Sequence, residues 1–125
     1  MSQHVLSIDL GGTKLASAVF TSEGEIVSEK HALLGSRKGA DVGRLICEMI
    51  AETMAESKSK NIFIHAIGIS VPGIVKPNGF VWAPNIEGWD DYPLLTEASA
   101  ASSGIPVFID NDRACYVMGE AWKGI

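Results

Sequence analysis

Val5-Leu6-Ser7-Ile8-Asp9-Leu10-Gly11-Gly12-Thr13-Lys14-Leu15-Ala16-Ser17-Ala18-Val19-Phe20 is the stretch whose reading decides the fold. Two apolar runs, Val5 to Leu10 and Leu15 to Phe20, flank a Gly-Gly pair, which reads as two strands joined by a tight turn. Glycine lets the chain reach positive φ and leaves no side chain in the way, so such a turn can aim consecutive backbone N–H groups at one point, an arrangement suited to phosphate. Thr13 adds a hydroxyl, Lys14 adds a cation, and Asp9 adds a carboxylate able to partner Mg²⁺. A plain hairpin whose glycines only make the turn is the alternative, and the three polar neighbours weigh against it.

Working outward, Glu25 to Leu33 reads as a third strand after a turn at Ser22-Glu23-Gly24, giving an antiparallel meander. Gly35 to Gly39 is a small polar loop holding Arg37 and Lys38. Val42, Leu45, Ile46, Met49, Ile50, Thr53 and Met54 recur at three- and four-residue steps, the stripe of an amphipathic helix with Asp41 as its N-cap and an end at Ser57 to Asn61. Ile62 to Ile69 is almost wholly apolar, which fits an interior strand covered on both faces and parallel to its neighbours, with His65 as a neutral core residue. Ser70-Val71-Pro72-Gly73 breaks that strand. A short hairpin turns at Pro77-Asn78-Gly79, and a loop rich in aromatic and polar groups runs from Trp82 to Tyr92. Pro93 opens a helix capped at Gly104, Pro106 to Ile109 is a further strand, and Asp110-Asn111-Asp112 leads into a last helix with Cys115, Met118, Ala121 and Trp122 on its apolar side. The fold class is α/β: a mixed sheet with an antiparallel first three strands and flanking helices.

A chain of 125 residues suits one domain, and 46% hydrophobic with 20% charged residues is the balance of an ordinary globular protein. A net charge of −5 argues against a general nucleic-acid surface, though not against a nucleotide held by a local amide cluster and Mg²⁺. Cys47 and Cys115 have neither zinc-site nor disulfide spacing and read as buried free thiols. Strand-like sequence begins by His4, and no apolar run approaches the length of a membrane span, so a soluble cytoplasmic protein is expected.

Ligands of open α/β sheets gather at the carboxyl ends of parallel strands. If the first strand, the Ile62 strand and the Val107 strand are parallel neighbours, then Asp9 and Gly11 to Lys14, the Ser70-to-Gly73 break, and Asp110 to Asp112 meet along one edge. Asp112 stands at a strand-to-helix junction, where the macrodipole favours an ionised carboxylate. It suits either helix capping or the proton-accepting role in phosphoryl transfer to an alcohol. Asn85 and Asn111 could each supply paired donor and acceptor groups to vicinal hydroxyls or serve as turn residues. Trp82 and Trp89 fit a sugar-sized pocket or the edge of the core equally well.

Four blocks together resemble the ROK family of bacterial sugar kinases and related repressors: Asp9 to Lys14; Gly68-Ile69-Ser70-Val71-Pro72-Gly73-Ile74-Val75; Ala83-Pro84-Asn85-Ile86-Glu87-Gly88-Trp89; and Asp110-Asn111-Asp112 with Gly119-Glu120 downstream. The resemblance implies the actin-like ATPase superfamily, with two lobes of ribonuclease-H-like topology around a cleft. Residues 1–125 would form the N-terminal lobe, the second lobe being absent from this chain. It implies ATP and Mg²⁺ as cofactors, with Asp9 organising the metal through the nucleotide and Gly11, Gly12, Thr13 and Lys14 at the phosphates. Gly73, Asn85, Asn111 and Asp112 would contact the sugar, with Asp112 as catalytic base. The family usually has small residues after the Asn-Asp pair, whereas Arg113, Cys115 and Tyr116 stand here. The implied activity is ATP-dependent phosphorylation of a hexose or N-acetylhexosamine hydroxyl by the full-length protein, this lobe being inactive alone. The implied partners are small molecules rather than membrane or nucleic acid, and the full-length protein could form a homo-oligomer. The alternative is the sugar-sensing domain of a ROK-type repressor. Such repressors carry an N-terminal helix-turn-helix domain, whereas strand-like sequence starts here just after Met1.

Overall fold

The meander and its crossovers appear in a computed structural model that describes residues 3–111. Strands β1 (His4–Leu10), β2 (Lys14–Thr21) and β3 (Ile26–Leu33) pair antiparallel in sequence order. Helix α1 (Ala40–Ser59) crosses to β4 (Ile64–Val71), which pairs parallel with β1. The hairpin of β5 (Ile74–Val75) and β6 (Val81–Trp82) follows, turning through Pro77-Asn78-Gly79. Helix α2 (Leu94–Ala101) then leads to β7 (Val107–Asn111), parallel to β4. Among the described residues the main sheet has the order β3-β2-β1-β4-β7. The expected last helix, with Cys115 and Asp112, lies outside the described residues.

Alternation along the strands separates the two faces of this sheet. Leu6, Ile8 and Leu10 lie beside Ile67, Ile69 and the neighbouring Val71, and all are buried. They share one cluster with Val42, Ile46, Met49 and Ile50 of α1 and with Leu94 and Ala98 of α2. Burying each such aliphatic side chain stabilises the fold by about 2 kcal/mol. Both crossovers step in the same direction across the sheet, so a common right hand puts α1 and α2 on the same face. Lys30 of β3, which reaches Glu52 and Glu56 of α1 at 3.5 and 2.6 Å, marks that side of the edge strand.

Three local expectations are corrected. The stripe of α1 is as read, but its N-cap is Gly39, not Asp41. The chain enters the helix through φ +52° at Gly39, a conformation that a side chain disfavours. Asp41 sits in the first turn and accepts a hydrogen bond from Arg44 at 2.8 Å. β4 is not covered on both faces by the described elements. A register shift between His4 and Val5 turns His65 out to solvent, edge-on to Phe63 at a ring separation of 4.8 Å. Finally, α2 stops at Ala101 with Ser102 as C-cap, and the left-handed residues are Ser103 as well as Gly104.

Among the described residues, one buried side-chain polar atom has no partner: Thr53 Oγ1, on a residue only 3% exposed. Thr53→Val keeps the shape and removes the unsatisfied hydroxyl, so it should raise unfolding stability by about 1 kcal/mol. A urea midpoint equal to or below that of the parent chain would contradict this.

Candidate active site

The three parallel strands β1, β4 and β7 end on one edge, and their register decides which side chains meet there. Asp9 stands opposite Ser70, and Ser70 opposite Asp110. With strands about 4.8 Å apart, the three form a row roughly 10 Å long. Ser70 Oγ donates to Asp9 Oδ1 at 2.7 Å, fixing the carboxylate while leaving Asp9 exposed. Asp110 Oδ1 accepts the Asn111 backbone N–H at 2.9 Å, and Asn111 closes β7 beside Val71.

The Gly11–Lys14 turn sits at the same edge, but its glycines act differently from expectation. Neither takes positive φ. Gly11 N–H donates to Lys14 O at 2.9 Å, so that amide closes the turn rather than pointing outward. What the glycines supply is room. A Cβ on Gly11 would lie 3.3 Å from Lys14 O, and one on Gly12 would lie 3.9 Å from Asn85 Cβ. The phosphate-type turn and the Asn85 loop are therefore neighbours. Gly12, Thr13 and Lys14 are exposed at the tip, and Thr13 O accepts the Leu34 N–H at 2.9 Å.

Gly73 brings the end of β4 against the same loop. A Cβ there would fall 2.0 Å from Trp82 O and 2.9 Å from Ala83 Cα, both backbone atoms. Its small size is thus required by packing, whatever else it touches. The loop from Ala83 to Tyr92 folds on itself through Ala83 N–H to Trp89 O at 2.8 Å and Ile86 N–H to Ala83 O at 3.0 Å. Asn85 faces solvent while Ile86 and Trp89 are buried. The two tryptophans part company: Trp89 is core, stacked on Tyr92 with rings 4.3 Å apart and 2° from parallel, and Trp82 is 40% exposed. Asp112 lies outside the described residues.

Cys47 is half-buried rather than fully buried, with its thiol 3.6 Å from Glu97 O, and burial followed by Glu97 and Glu48 pushes that thiol up. Burial, then the hydrogen bond to the Glu97 carboxylate, likewise pushes the Tyr92 phenol up. Among the described residues no group of three or more His, Cys, Asp or Glu is placed to hold a metal ion. Asp9 offers one oriented carboxylate, which suits a hard cation that brings most of its oxygen ligands with a phosphate. The rim thus brings carboxylate, hydroxyl, ammonium and carboxamide side chains to one edge of the sheet. Sequence reading passed over the Ser70-to-Asp9 bond, because only cross-strand register brings those residues together. It also passed over Gly43, whose missing side chain makes room for the Tyr92 hydroxyl.

The sequence model of the ROK family matches residues 5–125. A glucokinase of Halalkalibacterium halodurans is 35% identical over 95% of this chain and 36% of its own length. A ROK family glucokinase from Streptomyces griseus, solved in complex with glucose and AMPPNP, superposes with a TM-score of 0.73. It is 30% identical, over 98% of this chain and 37% of that one. A ROK family transcriptional regulator, a homolog of the E. coli MLC protein, shares the fold at a TM-score of 0.80 with 24% identity, over 93% of this chain and 29% of that one. The chain therefore spans between 29% and 37% of the length of these relatives.

The Gly73 contact yields a direct check. Gly73→Ala must push Cβ into the Trp82 and Ala83 backbone, which cannot rotate aside, so it should cost about 2–3 kcal/mol of stability. A thermal midpoint matching the parent chain would show that the hairpin yields.

Proposed function

The chain belongs to the ROK family, and from that premise we propose that it is the N-terminal lobe of a two-lobe kinase transferring the γ-phosphoryl group of ATP to a hexose or N-acetylhexosamine hydroxyl. The chain has the actin-like ATPase fold, and family membership supports a protein of sugar-kinase or sugar-regulator type. The kinase reading is carried by one observation: the exposed turn of Gly12 to Lys14, the Asn85 loop and the Asp9–Ser70–Asp110 row lie on one edge of the sheet. The glucokinase relatives, one holding glucose and an ATP analogue, support the same reading.

In this proposal Gly12, Thr13 and Lys14 line the phosphates, with Gly11 shaping their turn. Asp9, steadied by Ser70, meets Mg²⁺ through the nucleotide. Bound Mg²⁺-ATP supplies the phosphoryl group and the counter-charge for it. Asn85 and Asn111 orient sugar hydroxyls, Gly73 contacts the sugar beside them, and Asp112 takes the hydroxyl proton as the oxygen attacks phosphorus and the bond to the leaving diphosphate breaks. A protein fed by cellular ATP would work in the cytoplasm. Among the described residues no helix is long and apolar enough to cross a membrane.

The repressor alternative shares the fold of the solved regulator. A phosphorylation screen on the full-length protein, with glucose, N-acetylglucosamine, N-acetylmannosamine, mannose, fructose and allose, separates the two. Phosphorylation of at least one sugar is the expected result, and turnover of none combined with specific operator binding would select the repressor. The isolated 125-residue chain should show little or no turnover, because half a cleft neither positions substrate nor excludes water. In the full-length protein Asp112→Asn should abolish turnover with sugar binding mostly retained, read by calorimetry beside a coupled assay. Undiminished turnover would remove Asp112 from the base role.

A further inference from the structure

The segment from Leu34 to Gly39 joins β3 to α1, and it is tied at its two ends to two different parts of the rim. At one end Leu34 N–H donates to Thr13 O of the phosphate-type turn at 2.9 Å. At the other, Gly39 O accepts the Trp89 indole Nε1–H at 3.0 Å, and Gly39 N–H donates to Glu87 O at 2.7 Å. Between them the Arg37 guanidinium donates to the Leu33 and Leu34 carbonyls at 3.1 and 3.3 Å, folding the segment on itself. Gly39 is held at φ +52°, the conformation that lets both its amide and its carbonyl face the loop.

The loop approaches the segment closely at Gly88. A Cβ on Gly88 would lie 2.9 Å from Gly39 Cα. One turn into α1, a Cβ on Gly43 would lie 1.9 Å from the Tyr92 hydroxyl, which is hydrogen-bonded to Glu97. The loop's inner side, Ala83, Ile86, Trp89 and Tyr92, is buried, and only its outer side, with Asn85, meets solvent beside Gly12. The loop is therefore a shelf seated on the start of α1, not a flap.

We propose that Leu34–Gly39 is a strap that sets the Asn85 loop against the phosphate-type turn, with Trp89 as the positioning residue through which it governs sugar recognition. This rests on the kinase reading above. Trp89 is buried and acts through the backbone of its loop. Loosening the strap at its Gly39 end, with the Leu34-to-Thr13 tie intact, leaves the phosphate-side turn in place but lets Asn85 sample positions that do not fit the sugar, and apparent affinity falls with the competent fraction. Gly39 O also accepts Val42 N–H at 3.2 Å, so removing the indole donor does not orphan that carbonyl.

The test is Trp89→Phe in the complete protein that carries this lobe, with sugar and ATP titrated separately. Loss of one net hydrogen bond should raise the sugar KM roughly fivefold while the ATP KM and kcat stay within about twofold. Tyr92→Phe, which keeps the ring stack and removes the hydroxyl from Glu97, should shift the sugar KM in the same direction, and it decides the matter if Trp89→Phe fails to fold. An unchanged sugar KM, an equal rise in both KM values, or a loss confined to the active fraction and the thermal midpoint would reduce the strap to a structural contact and overturn the proposal. A parent protein that phosphorylates no sugar would overturn the kinase reading and the strap together. An active parent with a variant of unaltered sugar KM would overturn the strap alone.

Discussion

Parallel pairing of β1, β4 and β7 is the constraint on which the rest depends. Strands that run the same way finish at the same edge, so residues far apart in sequence are delivered to one rim. The register of that pairing is set from the buried side. Leu6 and Ile8 must lie beside Ile67 and Ile69 under α1 and α2, and a slip of one residue would turn the Asp9 carboxylate into the core and an aliphatic side chain into water. The cost of either error is far larger than any single contact on the rim. Packing on one face thus dictates the Asp9–Ser70–Asp110 order on the other, and the hydrogen bond from Ser70 to Asp9 is a consequence of hydrophobic register.

A second constraint is close approach of backbone to backbone. Gly73 and Gly88 stand where two segments come within a distance that no Cβ tolerates, and Gly43 where the Tyr92 ring meets α1. These contacts seat the Ala83–Tyr92 loop on the scaffold, with Trp89 and Tyr92 stacked beneath it. A loop held this way loses little freedom when a ligand arrives, and groups already in place contribute most to both affinity and orientation. The exposed ion pairs on the surface, such as Lys76 with Asp91 and Arg44 with Asp41, add little by comparison.

Much of this was legible in the chain. The alternation around Gly11 and Gly12 gave the first hairpin, the three- and four-residue stripe gave α1, and Pro77-Asn78-Gly79 gave the β5–β6 turn. The misreadings share a cause. The run from Ile62 to Ile69 looked buried on both faces because composition alone does not say how many layers cover a strand, and His65 proved to be exposed. Asp41 looked like a cap because local chemistry favours it, but the helix start was decided by what Gly39 must reach across the fold. Trp82 and Trp89 were equivalent as letters, and their fates diverged through the Tyr92 stack and the Gly39 carbonyl.

The sequence by itself determined the family, the order of the elements and the residue types available for phosphate and hydroxyl recognition, because periodicity and short motifs are local properties of the chain. Tertiary structure alone decided that Gly12 faces Asn85, that Ser70 holds Asp9, and that the strap from Leu34 to Gly39 ties Thr13 to Trp89. Those contacts join residues tens of positions apart. They exist only once strand direction and cross-strand register have been fixed by the buried face, information spread over the whole core and present in no single stretch.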